Sequence, residues 1–101
     1  MHYLLMYEFV PDFAERRKPL RGRHLALAWE AHERGELVLA GAFTDEPAGS
    51  ALLFKGDTAE AAERFAKSDP YVTGGLVTGW RVRPWTTVVG EDASAPVRPG
   101  P

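Results

Sequence analysis

The stretch from His2 to Val10 (HYLLMYEFV) is apolar on both faces of an alternating pattern, with Leu4 and Met6 on one side and Tyr3, Leu5, Tyr7 and Phe9 on the other. It closes at Pro11 and Asp12, which suits a first strand followed by a turn. The run Glu36 to Phe43 (ELVLAGAF) is likewise apolar on both sides. Strands of this kind need cover on two faces, and a chain of 101 residues has room for a single domain with a modest core. Its own helices can cover one sheet face; the other requires a different solution.

The covering elements are readable from composition. From about Ala14 to Arg34 the chain turns to Ala, Leu, Glu and Arg, with Pro19 as a break or late start and Gly35 as a stop, which predicts one helix or two pieces. Leu25, Ala28, Trp29 and Ala31 form a helix-spaced apolar stripe. Glu36 to Phe43 and Ser50 to Lys55 flank the turn-rich Thr44 to Gly49 and predict a hairpin, with Gly41 marking a bulge or close approach. Asp57 followed by Glu60 resembles a capping box, and Ala59, Ala62, Phe65 and Ala66 then recur at helix spacing. That helix ends at Ser68 or Asp69, because the residue before Pro70 is pushed out of the helical region. Gly74 and Gly75 turn the chain into a last strand, Val77 to Val89, with Pro84 placing it at an edge or bulge.

Strand, helix, strand, strand, helix, strand is the ferredoxin-like βαββαβ plan, an α+β fold with a four-stranded antiparallel sheet and both helices on one face. The bare face predicts a homodimer packed sheet to sheet. The alternative is that Ala40, Gly41 and Ala42 make that face tolerable in water. The domain is expected over residues 1–90, followed by a mobile Pro-rich tail over residues 91–101 (EDASAPVRPGP).

Several function classes fall away on composition. A net charge of −2 disfavours a phosphate-binding surface and hence nucleic acid. The absence of cysteine removes disulfides, thiolate metal sites and a Cys nucleophile. His24 and His32 lie eight residues apart, not at the i, i+4 spacing that places two ligands on one ion, so no metal is expected. There is no phosphate loop, dinucleotide glycine turn or nucleophile elbow, and no cofactor is expected. Tyr3 to Tyr7 is too short for a membrane span, and a cytoplasmic protein is expected.

Acid–base chemistry remains, and two residues carry it. Asp69 follows the last turn of the second helix, where carbonyl dipoles disfavour an anion. Either a cation lies near, or Asp before Pro starts a turn by bonding backbone N–H groups two residues on. His24 follows the cluster Arg16, Arg17, Lys18, Arg21 and Arg23, with Leu27, Ala28 and Ala31 as its helical neighbours. It is either a half-buried surface histidine or a working one. Antiparallel helices on one face bring the start of the first and the end of the second to the same end of the layer, so His24 and Asp69 can meet.

Arg21-x-x-His24-Leu25, Gly41, Gly49-Ser50 and above all Ser68-Asp69-Pro70-Tyr71-Val72-x-Gly74-Gly75, before a strand ending in Arg83-Pro84-Trp85, resemble the YciI-like (YCII-related) family from Met1 to Val89. The resemblance implies a dimeric α+β barrel of ferredoxin-like protomers with His24 and Asp69 as a dyad in a cleft. It further implies a cofactor-free lyase, such as a dehydrochlorinase acting on a hydroxylated aromatic. In such a dyad the carboxylate fixes the imidazole tautomer and leaves the other nitrogen as acid or base. Arg21 is then placed to hold an anionic or phenolate group, Ser50 to donate or accept a hydrogen bond, and Tyr71, Trp80 and Trp85 either to wall an aromatic-sized pocket or to pack in the core or dimer. Phe9 stands where some members are expected to carry a polar residue, which leaves a third polar participant without an obvious source. The contrasting expectation is a non-catalytic small-molecule-binding or dimerisation module.

Overall fold

A computed structural model describes all 101 residues. In chain order it contains β1 (His2–Phe9), α1 (Phe13–Arg16), α2 (Arg21–Glu33), β2 (Leu37–Ala42), β3 (Gly49–Lys55), α3 (Glu60–Ser68), α4 (Pro70–Thr73) and β4 (Val77–Trp85). The strands form one sheet in the order β2-β3-β1-β4, with every neighbouring pair antiparallel. This is the ferredoxin-like α+β arrangement, with two short helices added to its two long ones.

The two-sided character of β1 has a direct structural outcome. Tyr3, Leu5, Tyr7 and Phe9 are buried and pack with Ala28 and Ala31 of α2 and Ala62, Phe65 and Ala66 of α3. Small residues on both helices let them lie close to the sheet, so the core is built from alanine on the helical side and large side chains on the strands. The opposite face carries Leu4 and Met6 at its centre, beside Ala51 and Leu53 of β3 and Leu39 of β2. Leu39 is 71% exposed. Arg81 and Arg83 of β4 flank the row.

The first helical stretch takes the two-piece form that Pro19 allows, and other elements differ from expectation in several places. The long first helix is split at Pro19, which has no N–H to donate, so that α1 ends at Arg16 and α2 begins at Arg21. The second long helix starts at Glu60 rather than Asp57: Thr58 Oγ1 accepts the Glu60 N–H, while Asp57 offers its backbone carbonyl to the Tyr3 hydroxyl. The pairing irregularity in β2 falls between Leu37 and Leu39, not at Gly41, and a second falls between Glu8 and Phe9 of β1. Leu25 and Trp29, expected in the core stripe, are exposed, because α2 turns only Ala28 and Ala31 fully inward. The last strand stops at Trp85, and Pro84 is accommodated because β4 is an edge strand. Beyond it there is no helix or strand; Thr87 bonds His2 Nδ1, and the Ala95 and Val97 N–H groups donate to the carbonyls of Thr87 and Val88. No helix is long and apolar enough to cross a membrane.

Candidate active site

Asp69 sits where α3 stops and α4 begins. Its backbone is extended, at φ −67° and ψ 125°, because Pro70 excludes the helical conformation from the residue before it. From that position its side chain caps α4, with Oδ1 accepting the Tyr71 N–H at 3.0 Å. The same oxygen accepts from His24 Nδ1 at 2.8 Å, and Oδ2 accepts the Tyr7 hydroxyl at 2.8 Å. The residue is completely buried. Asp69 is thus the turn-former bonded two residues on that its place before proline suggests, and the same carboxylate also holds an imidazole.

His24 occupies the first turn of α2, with its side chain largely buried. Its ring stacks on Tyr71 at 3.8 Å between centroids and 7° between planes. Because a carboxylate only accepts, the contact with Asp69 places the proton on Nδ1 and leaves Nε2 as the ring's free nitrogen. Tyr71 is in turn held edge-on by Phe9 and Phe13, which stack on one another at 3.7 Å. Gly74, at the end of α4, is required for this packing: a Cβ there would lie 2.7 Å from both Leu20 Cδ1 and the Pro70 carbonyl oxygen.

The charges and phenols are ordered by burial. Tyr7 ionises far above its ordinary value near 10, first because it is buried, then because the Asp69 charge and hydrogen bond oppose a phenolate. It remains a donor throughout the accessible range. Tyr71 is also raised, chiefly by burial and further by Asp69, with Arg17 and Arg21 pulling the other way.

A cavity of about 430 Å³ opens between α2 and β2 beside the pair. His24, Arg21, Ser50 and Tyr71, all singled out in the sequence, line it together with Arg17, Phe9 and Phe13 at one end. Leu25 and Trp29 line its other end, which accounts for their exposure. Ser50 reaches it from β3, where Gly49 passes so close to Tyr7 that a Cβ would stand 2.7 Å from the Tyr7 carbonyl oxygen. Trp80 and Trp85 do not line it: Trp80 packs half-buried against the core from β4, at the far edge of the sheet, and Trp85 is exposed.

Tyr7 is the polar group that sequence reasoning missed. It lies in an unbroken apolar alternation and reads as core, and Phe9, two residues on, drew attention away from it. The available signal was that a buried tyrosine hydroxyl needs a partner.

Fold and site together define a ferredoxin-like α+β domain with a carboxylate-held imidazole beside an open cavity. The YCII-related domain model matches residues 1–86. The chain belongs to the YCII-related family. It is 30% identical over 97 residues to Protein YciI of Escherichia coli, covering 87% of this chain and 99% of that protein. It is 29% identical, over the same shares, to an uncharacterized protein of Haemophilus influenzae. Among solved structures, it resembles 5-chloro-2-hydroxyhydroquinone dehydrochlorinase of Burkholderia phenoliruptrix in complex with 2,5-dihydroxybenzoquinone. That likeness has a TM-score of 0.71 at 21% identity and covers 86% of this chain and 95% of that one.

Proposed function

We propose that this protein is a cofactor-free lyase or isomerase that moves a proton on a small carbonyl or phenolic metabolite. The observation that carries this reading is the His24–Asp69 contact at 2.8 Å beside the cavity. His24 Nε2 takes a proton from a saturated carbon next to the carbonyl, a phenol reacting through its keto tautomer; the C–H pair moves into the substrate, and the imidazolium that forms is held by Asp69. If a leaving group stands on the adjacent carbon, it departs with its electron pair. If none does, the proton returns to another carbon and the substrate is isomerised. Tyr7 orients Asp69 from the other side, and Ser50 donates to the substrate oxygen as negative charge grows on it. The dehydrochlorinase of like fold, captured with a dihydroxybenzoquinone, is in keeping with an elimination of this kind.

The same proposal includes a homodimer formed through the open sheet face, with Leu4, Met6 and Leu53 at its centre, and a cytoplasmic setting in which a chain free of cysteine loses nothing. The reaction is tested by screening phenols and small carbonyl compounds for thermal stabilisation and analysing the stabilising ones for product. His24→Gln is expected to bind the same compounds and to lose turnover by about a hundred to ten-thousand-fold. Saturable binding without product in the unaltered protein would leave a binding module in place of an enzyme.

A further inference from the structure

Two arginines, Arg17 and Arg21, line the cavity beside His24 without an ion pair. Four of the chain's cations, Arg16, Lys18, Arg34 and Arg64, are paired with carboxylates at 3.8 Å or less. Arg17 and Arg21 are among the eight of the twelve Lys and Arg residues that are paired with none, and of those eight they are the two that line the cavity. They are four residues apart on a continuous turn, with the Arg21 N–H donating to the Arg17 carbonyl at 2.8 Å. Both therefore project on the side of α2 that also carries His24 and Ala28, and all four line the cavity.

The two guanidiniums differ in exposure, Arg21 being exposed where it lines the cavity. Arg17 is half-buried and lies over the Phe13 ring, 5.1 Å from its centroid. Both act on the Tyr71 hydroxyl, whose ionisation they favour against the burial that opposes it. Both line the cavity beside the imidazole, and a guanidinium fork matches a carboxylate in shape as well as charge. Most of the remaining lining is aliphatic and aromatic, including Leu52, Leu37, Ala40 and Trp29, with Ser50 and His32 as its other polar members. Its volume, about 430 Å³, accommodates a ring-sized body.

We infer that the cavity binds a small amphiphilic carboxylic acid, its carboxylate held by Arg17 and Arg21 and its apolar body lying along the cleft between α2 and β2. The carboxylate is a handle separate from the reacting carbonyl or phenol, and it sets which carbon is presented to His24. The inference rests on the cavity being the working site assigned above; it does not need the dyad to be catalytic.

Calorimetric titration tests it with benzoate, its neutral isostere benzamide, and acetate, which keeps the charge and lacks the body. Benzoate is expected to saturate one site per chain, with benzamide and acetate each weaker by about tenfold or more. Arg17→Ala and Arg21→Ala are each expected to weaken benzoate about tenfold. Arg23→Ala, on the same helix but outside the cavity, is expected to leave it unchanged. His24→Gln should retain benzoate binding. Benzamide binding as tightly as benzoate, acetate as tightly as benzoate, equal losses at Arg17 and Arg23, or no benzoate binding at millimolar concentration would each overturn the inference. Benzoate binding with this pattern in a protein that turns nothing over would uphold it while removing the proton-transfer reading.

Discussion

Removing one hydroxyl tests how the buried carboxylate is held. In Tyr7→Phe the ring stays in the core against Phe9, 6.0 Å away between centroids, and only the donor to Asp69 Oδ2 is lost. Asp69 has no access to water, so no solvent molecule replaces that donor. A hydrogen bond to a charged group contributes roughly 1.5–3 kcal/mol, so a loss of about 2 kcal/mol is expected at neutral pH. For a domain of this size that corresponds to a fall in Tm of roughly 8–16 °C. The pH dependence adds an independent check. Tyr7 ionises in the unfolded chain near 10 and well above that in the folded one, so its stabilising effect is complete below pH 10 and is lost as pH rises past it. Each unit above 10 removes about 1.4 kcal/mol from the unaltered protein and nothing from the variant at this position. The gap between the two should therefore close at roughly pH 11.5. Urea unfolding of both proteins from pH 7 to 11.5 measures it. Stabilities within about 0.5 kcal/mol at pH 7, or a gap that stays constant through the alkaline range, would refute this account of the site.

Asp69→Asn is expected to fold, since its amide oxygen still accepts the Tyr71 N–H, but to lower kcat by about two to four orders of magnitude because an amide cannot accept at every point where the carboxylate does; steady-state kinetics on a substrate found by screening would show it. Gly74→Ala should cost roughly 1–3 kcal/mol in urea unfolding, because the added methyl meets the Pro70 backbone oxygen and Leu20 at 2.7 Å. Leu53→Lys places a charge at the middle of the open sheet face, beside Leu4 and Leu39. Sedimentation is expected to show a dimer for the unaltered chain and a folded monomer for the variant, and a monomer for both would dismiss the sheet-to-sheet pairing.

The βαββαβ plan was legible from the order of the elements, and topology allowed His24 and Asp69 to meet, while the dyad itself was implied only by the family resemblance. A βαββαβ chain has few ways to pack, and antiparallel helices put the front of one beside the end of the other. What stayed hidden depends on side-chain direction. Tyr7 and Leu5 occupy equivalent places in the alternation, yet only Tyr7 carries a polar atom within reach of a buried carboxylate. Leu25 and Trp29 satisfy helical spacing as well as Ala28 does, but their size keeps them at the rim, where they border a hollow instead of filling it. The four-residue α4 has no periodic signature at that length; Asp-Pro announces its start, and the cap itself is visible only in three dimensions.

The double attachment of Asp69 ties the proposed chemistry to architecture. The oxygen that receives the His24 proton also secures the first turn after α3, so losing this side chain would unseat Tyr71 and the aromatic wall together with the imidazole. A descendant that abandoned the reaction would still be under pressure to keep Asp69 for the sake of its shape. Among relatives, a retained aspartate at this place thus testifies to an intact scaffold, and the state of the neighbouring imidazole is the better indicator of whether the chemistry survives.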